Sequence, residues 1–307
     1  MLKASPQPTS GTQANAMLAL IAGAFAMGLS PIFVRFAVAG GVGPYTSAFW
    51  RVLLALPLLW LWMQVEECDP HVRRQSFPLG TILAGAAFTG DLFFWHLSIV
   101  HTTVANATFF ATTAPVWVVI AGFLIFRHKV APSVLAGLVL CLAGGASLMW
   151  QSMAVRPDRV MGDLFGVATA IFFGLYFLCV QSARGRAGAA RVTFELSLVT
   201  AALLFVIALI TERKFLPDTL SGALALLALA WLSHAGGQGL LSIALGRLPV
   251  VFSSLVIFLE ALAAAFFGWL FLHEPVTWIQ IGGGLLILIG IWVARPREGD
   301  GQIEANI

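Results

Sequence analysis

The stretch LIFRHKVAPSVLAGLVLCLAGG at residues 124–145 is answered by WLFLHEPVTWIQIGGGLLILIG at residues 269–290. Each closes one apolar run, turns through a short segment carrying a histidine, and opens a second, glycine-rich apolar run. Set 145 positions apart, His128 falls on His273, Gly137 on Gly282 and Gly145 on Gly290. Reading outward from these segments, five hydrophobic spans occupy each half of the chain. A block of an odd number of spans that repeats must enter the membrane with the opposite orientation. Two inverted halves that enclose a site near the bilayer midplane are the architecture of secondary transporters.

Composition agrees. The chain has 307 residues, of which 59% are hydrophobic and 10% charged, and its mean hydropathy is +0.92. Soluble domains carry about 25% charged residues, so a water-soluble globule is excluded. Five windows lack any Asp, Glu, Lys or Arg: 92–126, 130–155, 164–183, 219–246 and 275–294. Each is long enough for a membrane-crossing helix of about 20 residues. The net charge of +3 reflects basic loops, since no basic cluster exceeds three residues, and nucleic acid is not an expected partner. Three cysteines give no disulfide framework.

The predicted fold is all-α and polytopic, with ten transmembrane helices at roughly 17–39, 43–64, 78–99, 102–125, 132–150, 162–181, 191–210, 220–245, 248–272 and 276–294. They are numbered below as spans 1 to 10. Residues 1–16 read as a disordered cytoplasmic N-terminus, 17–150 as the first repeat, 162–294 as the second and 295–307 as a cytoplasmic tail. The connections are short and rich in Pro and Gly. With the N-terminus inside, cytoplasmic segments hold eleven Lys and Arg and outer loops hold four; Arg35 and Arg51 lie within spans. Positive charge accumulates on the cytoplasmic side of membrane proteins. The expected location is therefore the inner (plasma) membrane, with both termini cytoplasmic.

The C-terminal stretch of each half reads as a family signature. In the second half it runs Pro249-Val250-Val251-Phe252-Ser253-Ser254, then Glu260, Leu272-His273-Glu274-Pro275, Gln280-Ile281-Gly282 and Gly290-Ile291. In the first it runs Thr103-Val104-Ala105-Asn106-Ala107, then Ala114-Pro115-Val116, Arg127-His128-Lys129, Gly137 and Gly145. Over about residues 17–294 this resembles the ten-helix EamA-type branch of the drug/metabolite transporter superfamily. Two positions depart from the family pattern. Lys129 stands where an acid matching Glu274 is usual, and Glu260-Ala261 where Glu-Pro is common. The aromatic spans are similar to those of bacterial aromatic amino-acid exporters. The resemblance implies transport of amino acids, metabolites, drugs or sugar-linked nucleotides.

Ionisable groups inside spans are costly and need a reason. Asp91, Trp95, Ser98 and Thr102 follow one another at i, i+4, i+7 and i+11, a single helical stripe, with His96 one residue off it. Asn106, Phe110, Thr113 and Trp117 repeat that spacing in span 4. His234 and Gln238 share a face of span 8, and Tyr176 adds an aromatic hydroxyl in span 6. Amide, hydroxyl and aromatic groups together suit a ligand with a polar head and a flat apolar body. Equally, such stripes serve as buried polar seams between helices. Trp95, His96, Asn106, Phe110, Thr113, Trp117, Tyr176, His234 and Gln238 are thus the candidate substrate-binding residues. Asp91, Glu260, Arg35 and Pro115 are candidates for coupling or gating. Pro115 removes a backbone hydrogen bond in mid-span and falls opposite Glu260 in the repeat. Arg35 and Arg51 either pair with an acid or draw anions to the outer mouth, or else snorkel to head groups. The cavity is expected to be lined by spans 1, 3, 4, 6, 8 and 9, with spans 5 and 10 packing on each other or on a neighbouring copy.

The sequence holds no nucleotide-binding G-x-x-x-x-G-K-[ST] loop, no H-E-x-x-H and no nucleophile elbow. No metal or cofactor is expected. The partners are a small-molecule substrate and the lipid bilayer, and the chain is read as a monomer or weak homodimer. The competing readings are an intramembrane enzyme using Asp91 or Glu260 with a histidine, and a pore. Topology is testable directly. Single cysteines placed in the C-terminal tail should react only after membrane-impermeant reagents gain access to the cytoplasmic face. Labelling from the periplasm would overturn both the even span count and the inversion.

Overall fold

The computed structural model describes residues 10–102, 104–126, 130–149, 159–272 and 276–296. The histidine turns at 127–129 and 273–275 lie outside them, as do most of the connection between repeats and both chain ends. Among the described residues, nine helices are long and apolar enough to cross a membrane: Gln13–Ala39, Pro44–Glu66, Leu79–Ile99, Asn106–Leu124, Pro132–Met149, Val160–Arg184, Ala189–Thr211, Leu220–Leu245, Val250–Phe271. A tenth, shorter apolar helix runs Trp278–Ala294. All ten coincide with predicted spans, and no strand occurs among the described residues. One boundary moves: the first helix starts at Ser10, so residues 10–16 of the expected N-terminal segment are helical. The alanine-rich sequence that follows has high helix propensity and carries the helix back into its polar start.

Packing repeats with the sequence. Span 1 lies against spans 8 and 9, and span 6 lies against spans 3 and 4. Each contact becomes the other when every span is exchanged for its counterpart five places away. Spans 2 and 7 are each other's counterparts and pack as an antiparallel pair. Their ends are fastened reciprocally. Glu66, at the end of span 2, accepts hydrogen bonds from the Ala189 and Ala190 amides at the start of span 7, both at 2.9 Å. Glu212, just past span 7, accepts from the Tyr45 and Thr46 amides at the start of span 2, at 2.7 and 3.0 Å. The first amides of a helix have no intrahelical acceptor and carry partial positive charge, which a carboxylate satisfies on both counts. The N-cap residues are Gly43 and Gly188, 145 positions apart, and a Cβ on either would overlap the bound carboxylate. The adjoining loops dock in the same fashion. Gly188 N–H donates to the Arg73 carbonyl (3.0 Å) at one end, and Asp218 N–H to the Gly40 carbonyl (2.8 Å) at the other.

Spans 5 and 10, the two quoted at the outset, pack against each other along a glycine seam. A Cβ on Gly290 would stand 2.7 Å from the Gly137 carbonyl oxygen and 3.1 Å from the Cys141 amide nitrogen. Helix association within lipid gains little from the hydrophobic effect and depends on such close approach. A Thr277–Gln280 capping box starts span 10, and the Gln280 side chain donates on to the Leu148 carbonyl at 3.3 Å. Gly282, on the same helix, has nothing within 4 Å of its would-be Cβ. Gly290→Ala and Gly282→Ala therefore carry the same gain in helix propensity and differ only in the clash. Overpacking costs roughly 1–3 kcal/mol. Thermal unfolding in detergent should show Gly290→Ala less stable than Gly282→Ala by about that amount; equal melting temperatures would refute the seam.

Candidate functional site

Five spans depart from regular α-helix. Span 1 is broken at Leu29, between Ser10–Gly28 and Ser30–Ala39. Span 2 is broken between Pro44–Leu53 and Leu56–Glu66. Span 4 breaks at Thr113 and span 9 at Ile257. Span 8 widens into a π-helix over Leu229–Gln238. Prolines account for three of the breaks: Pro31, Pro57 and Pro115 each stand at the start of the second half-helix, where their missing N–H does least harm. Span 9 has no proline there. Its Ser254 hydroxyl donates to the Val251 carbonyl at 2.8 Å, and the backbone tightens to i−3 bonds, Ile257 N to Ser254 O and Glu260 N to Ile257 O. Hydroxyl back-bonding of this kind bends helices. Thr112 and Thr113 do the same in span 4, donating to the Phe109 and Phe110 carbonyls. The span 4 and span 9 breaks correspond in the repeat.

All five irregular spans, together with spans 3 and 6, line one cavity of about 40 Å³. Its walls are Met27, Ser30, Arg51, Phe88, Asp91, Leu92, Trp95, Ala111, Thr112, Phe173, Gln238 and Glu260. Nine of these come from the first repeat and three from the second, so the cavity lies at the repeat interface. It has room for a few waters and is far below the roughly 300 Å³ of a small-molecule site. Three formal charges face the cavity. Arg51 is 5% exposed and Asp91 7%; Glu260, half-buried, completes the set. Arg51 attracts both carboxylates, which repel each other. Among the described residues its Nε has no hydrogen-bond partner, and neither has the Ser30 hydroxyl.

A second layer backs these walls. Tyr176 is fully buried, packs on Phe88 at 5.0 Å between centroids, and donates its hydroxyl hydrogen to Gln238 Oε1 at 2.9 Å. His234 packs on Phe88 at 5.5 Å and pairs its Nε2 with the Ser197 hydroxyl at 2.9 Å. His96 meets the edge of Trp95, and its Nδ1–H donates to the Leu92 carbonyl at 2.6 Å. The π-helix brings His234 and Gln238 to this depth. The small residues around them let span 8 approach span 1, where the Ser233 hydroxyl donates to the Ala26 carbonyl.

Of the residues singled out from sequence, Asp91, Trp95, Gln238 and Glu260 line the cavity, and Tyr176, His96 and His234 stand one layer behind. The others are placed elsewhere. Asn106 donates to Asp163 and Thr102 near the start of span 6. Phe110 and Trp117 pack on Gly166 and Gly174 of span 6, and Thr113 and Pro115 form the span 4 break. Arg35 is exposed on span 1. The Asp91 stripe divides: Asp91 and Trp95 face the cavity, while Ser98 and Thr102 donate to the Gly162 carbonyl and the Asp163 carboxylate. The expected set of lining spans also needs correction, because span 2 contributes Arg51. A lone arginine seven residues from a span end is as readily explained by snorkelling. Only the inward turn of span 2 at its break shows otherwise.

A description of the EamA-like transporter family matches residues 14–150 and again 160–295. A protein of Archaeoglobus fulgidus named as an uncharacterized transporter is 22% identical over 261 residues, covering 83% of this chain and 89% of its own length. The pseudopaline exporter CntI of Pseudomonas aeruginosa is 23% identical over 246 residues, covering 80% and 84%. One crystal structure superposes with a TM-score of 0.79 at 19% identity, over 92% of this chain and 97% of that one, and so shares the fold.

The Tyr176–Gln238 bond fixes the amide that faces the cavity. A buried hydrogen bond left half-made costs about 1–3 kcal/mol. Tyr176→Phe and Gln238→Leu should each lower stability by about that much. The double variant should cost less than the sum, because one bond is lost only once. Strict additivity in the melting temperatures would show that the two side chains act independently.

Proposed function

The chain belongs to the EamA-like transporter family, and we propose that it works as an alternating-access secondary transporter that exports a small amphipathic metabolite from the cytoplasm. Membership and the fold make it a multi-pass membrane transporter. The observation that carries the finer reading is the small cavity between the repeats, walled by every irregular span and holding charged and aromatic side chains together. Irregular backbone at membrane depth is tolerated where it lines a cavity, and inverted-repeat transporters bind substrate there. Aromatic walls from Phe88, Trp95 and Phe173 suit a flat apolar body; Arg51, Asp91, Glu260 and Gln238 suit a charged head. Aromatic and other amino acids and amphipathic drugs fit this description. The relative named as an exporter supports the outward direction, and the charge bias supports the inner membrane with both termini cytoplasmic. An enzymatic reading finds less support, since both histidines that would partner the acids stand behind the walls.

Counterflow separates this reading from its rivals. Proteoliposomes preloaded with unlabelled substrate should transiently concentrate the labelled form, which neither a pore nor an enzyme does. Trp95 tests the aromatic preference. An aromatic contact contributes about 0.5–1.5 kcal/mol beyond area burial. At about 1.36 kcal/mol per tenfold, Trp95→Ala should raise the half-saturation concentration for an aromatic substrate roughly two- to thirteen-fold, and for a small aliphatic one by less. Equal losses for both would assign Trp95 to the fold alone.

A further inference from the structure

Charge bookkeeping in the cavity has a consequence for what it binds. Among the described residues, its walls carry one base, Arg51, and two acids, Asp91 and Glu260. With all three ionised the site has a net charge of −1 in a hydrocarbon slab. An uncompensated buried charge is expensive, whereas a matched set is tolerated. The neighbouring ionisable groups do not supply the missing positive charge. His96 in span 3 has its Nδ1–H on the Leu92 carbonyl, and its Nε2 meets no partner among the described residues. His234 in span 8 has Nε2 on the Ser197 hydroxyl, and its Nδ1 likewise meets none among them. Charging either ring would leave a buried cationic N–H without an acceptor, next to the field of Arg51. Tyr176 in span 6 donates to Gln238, and a phenol carries no positive charge in either of its forms. Arg51 therefore matches one acid, and the second is left over.

We propose that the cavity exchanges one proton for one substrate of net charge +1, the surplus carboxyl holding whichever of the two is present. This rests on the transporter reading above and extends it to energy coupling and substrate charge: of the ligand classes named there it keeps those of net charge +1 and drops the neutral, zwitterionic amino acids. In the empty site the surplus acid is a neutral carboxyl. When a protonated amine enters, the carboxyl O–H bond breaks, the proton leaves to the aqueous side that is open, and the carboxylate pairs with the ammonium. The site is neutral before and after. Release of the substrate on the other side admits a proton in its place. The exchange is one-for-one and electroneutral, so a pH gradient, acid outside, drives an amine outward. A neutral zwitterion or an anion cannot displace the proton without leaving a net buried charge.

Three probes share a phenyl ring on a short chain and differ in head charge: phenethylamine (+1), phenylalanine (0) and hydrocinnamate (−1). Purified protein in weakly buffered detergent, with a pH-indicator dye, should release about one proton per phenethylamine bound. Its apparent affinity should fall by roughly tenfold per unit decrease in pH over the range where the empty site holds the proton, as linkage requires for one displaced proton. Glu260→Gln and Asp91→Asn each leave one acid for Arg51, so release should fall to zero in both variants. The two substitutions and the wild-type stoichiometry are independent readouts, so poor folding of one variant does not remove the test. Binding of phenethylamine without proton release, undiminished release in both variants, or preferential binding of either other probe would overturn the exchange. Counterflow of phenethylamine in proteoliposomes without a pH gradient tells the two readings apart. Counterflow without proton release sinks the exchange and keeps the transporter; proton release without counterflow does the reverse.

Discussion

Inside a bilayer no water is available to a backbone amide or a charged side chain, so each must find its partner within the protein. A helix meets the backbone demand with its own hydrogen bonds, and ten apolar helices are the outcome here. The same demand decides where the helices can fail. Spans 3, 5, 6, 7 and 10 are continuous. Among the described residues, spans 1, 2, 4, 8 and 9 are interrupted, and each of these spans contributes to the cavity where polar groups from several spans converge. Prolines and threonines set the local bends. The cavity makes them tolerable, and the bends in turn shape it.

The outer frame follows from the repeat. Span 2 and span 7 are the same element inverted, so the acid that ends one reaches the amides that begin the other, at both ends of the pair. One sequence feature, used twice, thereby closes two clasps on opposite sides of the membrane. Spans 5 and 10 solve the problem differently, by bringing bare backbone against backbone along glycines. Between these two symmetric pairs the remaining six spans enclose the site. Counterpart contacts, span 1 on 8 and span 6 on 3, surround it from both sides. Such a frame leaves the cavity at the interface of two copies of one motif, the natural place for a site reached alternately from either face.

Within that frame the site gathers groups that a membrane protein otherwise avoids. Arg51, Asp91 and Glu260 come from spans 2, 3 and 9, far apart in sequence, and share one small space. Burying three charges together costs less than burying any one alone, provided their signs offset. They do so incompletely, since one base faces two acids. The aromatic walls add a surface for an apolar body, and the second layer of Tyr176, His96 and His234 backs those walls through hydrogen bonds to Gln238, the Leu92 carbonyl and Ser197.

Much of this was legible in one dimension. Hydropathy and charge spacing mark every span, because a bilayer filters sequence through length and polarity alone. The 145-residue offset marks the inversion, since an odd block must flip. Glycines at that offset, Gly137 with Gly282 and Gly145 with Gly290, point to close packing of spans 5 and 10, although the seam itself pairs Gly137 with Gly290 and Gly144 with Gly283, while Gly145 packs on Phe109 and Phe258 and Gly282 meets nothing among the described residues. Asp91, Trp95, Gln238 and Glu260 could be picked out because a polar group in an apolar run needs a cause. What the sequence could not supply was direction. The same spacing carries Asp91 and Trp95 to the cavity and Ser98 and Thr102 to span 6, and it carries Asn106 to Asp163. Periodicity defines a face of a helix, whereas the neighbour on that face depends on how ten helices pack. Arg51 shows the limit most plainly. By sequence it is one long cation near a span end, free to reach water. The break in span 2 and the acids on spans 3 and 9 make it the centre of the site, and those are facts of tertiary structure alone.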